Sequence, residues 1–239
     1  MKLSRKILSL SCVALLAFAT AAHASAFSFT ATGVGTVTGT TGAGTITLTL
    51  TSLDNVDVSD GQALAGVLLT LSNAAGTTSL TSSSGDVITI GAGPGGGTFG
   101  FTDNGVSSLS HWGADASATK VVCVATVNGN GSDCAVGAQP YDLILGNPNG
   151  SNKYVETGDM SNFNPFVDDS ATFVIAASGV TASTTVTGVQ FGTSTSFDET
   201  AGVPGNPPVV PEPSSLLLLG TGIVGAAGLL RRRMVAGRA

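Results

Sequence analysis

Apolar residues recur at every second position through long parts of this chain, and that spacing limits the fold more than any other feature. In 44–53 (GTITLTLTSL), Ile46, Leu48 and Leu50 alternate with Thr45, Thr47, Thr49 and Thr51. A period of two puts the aliphatic side chains on one face of an extended strand and the hydroxyls on the other. Threonine is β-branched and suits the pleated backbone. Strand signals recur at 27–39, 64–71 (LAGVLLTL), 86–90 (DVITI), 99–101, 120–127 (KVVCVATV), 141–145, 171–177 (ATFVIAA) and 184–191. Gly39, Gly42 and Gly44 are expected to mark the turn between the first two runs, and Asn128-Gly129-Asn130-Gly131 to close a hairpin after 120–127. No long 3.6-residue apolar period interrupts 25–198. About ten short strands with turns between them predict an all-β body, a β-sandwich of jelly-roll-like form.

The two ends have a different character. Residues 1–24 read as a signal peptide: Lys2, Arg5 and Lys6 are followed by an apolar stretch at 7–19 and by Ala22-His23-Ala24. Small residues at Ala22 and Ala24 fit cleavage after Ala24, with Ala26 as the second position. Cys12 lies inside the apolar stretch rather than after it, so it does not suit lipid attachment. At the other end, 199–210 reads as a Pro/Gly-rich spacer. Pro211-Glu212-Pro213 follow, then an uncharged run over 214–230, then Arg231, Arg232 and Arg233 in a basic tail to 239. The 17 residues of 214–230 would span about 25 Å as a helix, short of a hydrocarbon core of about 30 Å. Lack of charge and snorkelling arginines still favour a transmembrane helix with those arginines cytoplasmic. Two prolines hold the motif extended before the helix.

The order Pro-Glu-Pro, apolar helix, arginine cluster resembles the PEP-CTERM sorting signal of Gram-negative bacteria, carried here by Pro211, Glu212, Pro213, 216–230 and Arg231 to Arg233. The resemblance covers about 30 residues and implies recognition by an exosortase, a membrane-embedded transpeptidase-like enzyme that cuts near the Pro-Glu-Pro. It further implies a precursor in the inner membrane and a product at the cell surface or in an exopolysaccharide matrix. A sortase signal would need LPxTG, which the chain lacks.

Charge separates the ends from the body. Between 25 and 210 the only cations are Lys120 and Lys153, against fourteen acidic residues, a formal net charge of −12. Such a surface repels phosphate backbones and argues against nucleic-acid binding. Cys123 and Cys134, a pair in a chain that reads as exported, are expected to form a disulfide.

Catalytic chemistry is sparsely supplied. The body has one histidine, His111, and no GxSxG elbow. Gly91 to Gly96 matches GxGxxG, but strand and turn residues follow where a phosphate site needs a helix. His111 and Trp112 are expected to belong to a packed loop, with Trp112 as the candidate ligand residue if it stacks on a sugar instead. Oxygen ligands for Ca²⁺ could come from Asp54, Asp57 and Asp60, or from Asp168 and Asp169, although their spacing is not that of an EF-hand. No other cofactor is implied. The expectation is a non-enzymatic surface or matrix protein, with a carbohydrate-binding module and a secreted hydrolase as alternatives.

Overall fold

A computed structural model describes residues 24–53, 62–91, 98–126, 134, 141–146, 154–155, 160–193 and 198–206. The alternating segment forms β3 (Thr45–Ser52), with Ile46, Leu48 and Leu50 buried and the intervening threonines half-exposed. Before it come β1 (Ser25–Ala31) and β2 (Gly35–Gly42). After it come β4 (Leu64–Leu71), β5 (Thr78–Ile90), β6 (Thr98–Phe99), β7 (Phe101–Ser107), β8 (Gly113–Ala118) and β9 (Val121–Ala125). The remaining strands are β10 (Leu143–Leu145), β11 (Tyr154–Val155), β12 (Phe166–Ala177), β13 (Val186–Thr193), β14 (Asp198–Ala201) and β15 (Val203–Pro204), with one 3-10 turn at Met160–Phe163. The all-β expectation holds for the described residues.

Thirteen strands form one curled sheet, and β6 pairs with β11 apart from it. One arm runs β1-β2-β3-β12-β5-β7 through antiparallel pairs. The other runs β14-β13-β4-β9-β8. Strand β10 joins them, lying parallel to β12 and meeting β4 where Ile144 faces Leu64. The curl is tied again at its other side. β14 pairs with β13, and after Gly202 the chain moves to β1, where Val203 faces Thr30 and Pro204 faces Phe29. A Cβ at Gly202 would stand 2.9 Å from the Phe191 ring, so a bare α-carbon is needed at this crossover.

The inner faces of both arms share one apolar cluster, which includes Phe27, Val37, Leu48 and Phe173 from the first and Leu69, Val122 and Phe191 from the second. Each fully buried side chain of this size contributes roughly 1.5–3 kcal/mol. Strand β4 is apolar on both faces. Its register with β13 skips Ala65, since Gly192 faces Gly66 and Thr193 faces Leu64. This bulge shifts the alternation, so that Leu64 and Val67 both join the inner cluster. Ala65 and Leu68 instead belong to a second cluster with Cys123, Leu143, Leu145, Phe166 and Ile88.

Three sequence expectations change. Gly39 does not mark a turn but lies inside β2, between Phe27 and Leu48. A Cβ there would approach the Phe27 ring to 2.6 Å, so its absence makes room for that ring; Gly44, at φ 73°, is the residue in the turn. The 120–127 strand does not pair with the next strand as a hairpin, because β9 lies between β4 and β8. The body also extends past 198: residues of β14 and β15, expected as spacer, are hydrogen-bonded into the sheet.

Candidate functional site

The described residues hold one compact polar constellation, where the turn between β7 and β8 meets the start of β10. Trp112 is 5% exposed and packs its ring against Phe173 with centroids 4.5 Å apart. Its indole N–H donates to the Asp142 carbonyl at 2.8 Å. An indole so enclosed presents no face for a sugar, so Trp112 is a core residue and not a ligand platform. The apolar ring outweighs its one polar atom, and that atom finds a backbone acceptor.

Asp142 organises the turn. Its carboxylate Oδ2 lies 2.8 Å from His111 Nδ1 and also accepts the His111 backbone N–H at 3.3 Å. Its own N–H donates to the Pro165 carbonyl. The Asp142 side chain is 5% exposed against 37% for His111, and the His111 ring tilts over Tyr141 at 5.0 Å. Asp142 adopts φ 58°, a left-handed conformation that aspartate tolerates better than larger residues. The Nδ1–H tautomer of His111 would donate to Asp142 Oδ2. Among the described residues no hydroxyl or thiol is hydrogen-bonded to this ring. Asp142 escaped the sequence reading because 31 positions separate it from His111, and no local pattern joins them.

The second polar group is a row of carboxylates across three strands. Asp168 on β12 faces Asp86 on β5 in register, and Asp103 on β7 lies diagonally beside it, opposite Ile88. Burial first, then the Asp103 charge, a hydrogen bond to Asp103 and the Asp168 charge hold the Asp86 carboxyl above the usual aspartate range. Asp169, at φ 59° in the bulge that follows, is raised by burial and then by Asp168. Of the proposed Ca²⁺ ligands, Asp168 and Asp169 thus sit in this row, while Asp54, Asp57 and Asp60 lie outside the described residues. Among the described residues no three His, Cys, Asp or Glu side chains are grouped to hold a metal ion.

Cys123 and Cys134 form the expected disulfide, with Cα atoms 5.6 Å apart, and both are buried in the second apolar cluster. Strands β6 and β7 follow the 91–96 glycine run, where a phosphate-binding loop would lead into a helix. Ala24 directly precedes β1. Ala22, the 214–230 segment, Pro211, Glu212, Pro213 and Arg231 to Arg233 lie outside the described residues. No helix among the described residues is long and apolar enough to cross a membrane.

Comparison with known proteins concerns that last stretch. A family model described as the PEP-CTERM protein-sorting motif matches residues 209–233. The chain carries a PEP-CTERM sorting signal. This signal indicates an exported surface protein that an exosortase processes. The matched residues include Pro211 to Pro213 at one end and Arg231 to Arg233 at the other. No curated protein and no solved structure matched the chain. The PEP-CTERM match covers the sorting segment and leaves the β body's own activity to be argued from its residues.

Proposed function

We propose that the chain is a non-enzymatic surface or matrix protein whose sandwich-like, jelly-roll-like β body associates with exopolysaccharide. In this reading the 1–24 leader directs export. The 214–230 helix then holds the precursor in the inner membrane until an exosortase cuts near Pro211 to Pro213. The observation that carries it is the sorting motif at 209–233. A body with a net charge of −12 and an extracellular-type disulfide is consistent with export. His111 and Asp142 are assigned the role of a clamp on the β7–β8 turn.

Mass measurement of the mature protein tests the processing. The expected product begins near Ser25 and lacks Arg231 to Arg233; a product that retains those arginines in the inner membrane overturns the reading. Fractionation tests the location: the body should leave the cell surface when the exopolysaccharide is degraded. Turnover of a polysaccharide or an ester by the purified protein would replace this reading with the hydrolase.

A further inference from the structure

Four neighbouring strands share one outward face, and their register turns it into an array. In β2, β3, β12 and β5, buried positions alternate with positions that point away from the core. The outward positions meet in rows across the sheet. Thr38 on β2 faces Thr49 on β3, Thr49 faces Thr172 on β12, and Thr172 faces Ser84 on β5. Two residues along each strand the row repeats, as Thr36, Thr51 and Ser170 on one side and as Thr40, Thr47, Val174 and Ser82 on the other. With strands about 4.8 Å apart and side chains on one face about 6.7 Å apart, these rows cover roughly 14 Å in each direction.

Every side chain in the three rows is uncharged, and all but Val174 carry a hydroxyl. Carboxylates return at the border, where Asp168 faces Asp86 just past Ser170 and Ser84 on β12 and β5. The hydroxyls reach solvent. Thr172, Ser82 and Ser84 are exposed, and the threonines that β2 and β3 give to these rows are half-exposed. They are also held in place. Threonine is stiff at χ1, and the hydroxyls of Thr49 and Thr172 are hydrogen-bonded to each other at 3.1 Å.

A hydroxyl offers one donor and two acceptor lone pairs, and threonine sets a methyl group beside it. A pyranose ring has the same two parts, with hydroxyls at its rim and C–H groups on its faces. A sugar chain laid on the array can therefore exchange hydrogen bonds in both directions and cover the methyls. Charge selects among such chains. An anionic glycan would meet Asp86 and Asp168 at the border and be repelled, whereas a neutral one is not opposed. The face offers side chains rather than strand edges, which suits a glycan better than an added peptide strand. Each hydrogen bond contributes little net, because water competes for the same groups. Repetition across the rows and side chains ordered before binding offset this.

We propose that this hydroxyl array is the surface on which the body binds a neutral polysaccharide, a segment of several sugars at a time. The inference rests on the reading of the body as associated with exopolysaccharide, and gives that association a surface. It places sugar recognition on the opposite side of β12 from Trp112, which packs against the inward-facing Phe173. Weak contacts that repeat imply that a long chain binds far more tightly than a fragment of one or two sugars.

The test is retention of the full chain, purified in detergent, on exopolysaccharide from the cells that make it, separated by anion exchange into neutral and anionic fractions and immobilised. The neutral fraction should retain the chain several-fold more strongly, and its long fragments should compete several-fold better than its disaccharides. Thr38→Val, Thr49→Val and Thr172→Val together remove the threonine hydroxyls of the central row but keep shape and strand preference. Retention should fall several-fold at an unchanged unfolding midpoint. If that variant unfolds earlier, Thr172→Val alone, at an exposed position, is read in its place and should still lower retention. Undiminished retention of the variant overturns the array and leaves the association with exopolysaccharide standing. Retention on neither fraction overturns the association, and this inference with it. Stronger retention on the anionic fraction overturns the neutral ligand. A wild-type dimer in light scattering that the triple variant loses assigns the face to a second copy of the chain, and also overturns the proposal.

Discussion

Strands β3 and β4 have similar lengths and opposite surroundings. β3 alternates buried aliphatics with half-exposed threonines, so one face meets the core and the other meets solvent. β4 buries seven of its eight residues, because its second face lies under a separate apolar cluster that contains the disulfide. A two-residue period signals one covered face, and a continuous apolar run signals two. The pair shows that hydrophobic content alone does not set a strand's role; what covers its outer face does.

The largest effect should come from breaking β4's outer face. Leu68→Ala removes a side chain buried in the second cluster, with an expected cost of about 2–5 kcal/mol. Thr49→Ala, at an outward position of β3, should change stability by no more than about 0.5 kcal/mol. Denaturant midpoints for the two variants measure the contrast directly, and equal shifts would mean that β4 is not covered twice.

Removing the disulfide sharpens the same point. Cys123→Ala combined with Cys134→Ala opens a loop with a sequence separation of 11, at a cost of somewhat under about 3 kcal/mol. Thermal unfolding with and without reductant should show the wild type losing this increment and the double variant unaffected.

A smaller effect is expected where β3's own arm is tight. Gly39→Ala places a Cβ 2.3 Å from the Thr47 carbonyl and 2.6 Å from Phe27, and overpacking of this kind costs about 1–3 kcal/mol. Phe27→Leu in the same chain should recover part of the loss, read from the unfolding midpoint.

The smallest effect concerns the carboxylate row on that arm. A folded pKa raised above the unfolded one adds stability that is complete below the unfolded pKa and disappears as pH rises through the folded one. For Asp86 the ionised form is therefore a burden at neutral pH, through burial first and then through Asp103 and Asp168. Asp86→Asn should stabilise the body at pH 7 by a few tenths to about 1 kcal/mol. The gain should vanish below a pH of about 4, where aspartate is protonated even when unfolded. Unfolding curves across that range measure it.

Much of the fold was legible where a strand's pattern reports its burial. The 64–71 segment became β4 with the expected bounds, the 44–53 run holds β3 with one residue to spare at each end, and 171–177 and 184–191 fall within or across β12 and β13. Strands β7 and β8 (FTDNGVS and GADASA) were missed because they carry little apolar alternation. They lie at the ends of the two arms and hold their places through backbone pairing. The site divides in the same way. The sorting motif is a local string and was visible as such. Trp112 could be read either as packed or as a sugar platform, since a tryptophan beside a histidine looks alike in both roles until Phe173 and Asp142 are brought against it.

By itself the sequence determined the all-β character, the asymmetry of charge between the ends and the body, and the sorting signal at 209–233. Each depends on neighbouring residues, through period, composition or a contiguous motif. Tertiary structure alone decided that β4 is covered on both faces, that the chain crosses from β13 to β1 at Gly202, and that Asp142 clamps His111 and Trp112. Those facts depend on residues far apart in sequence, and only the pairing of strands sets which of them meet.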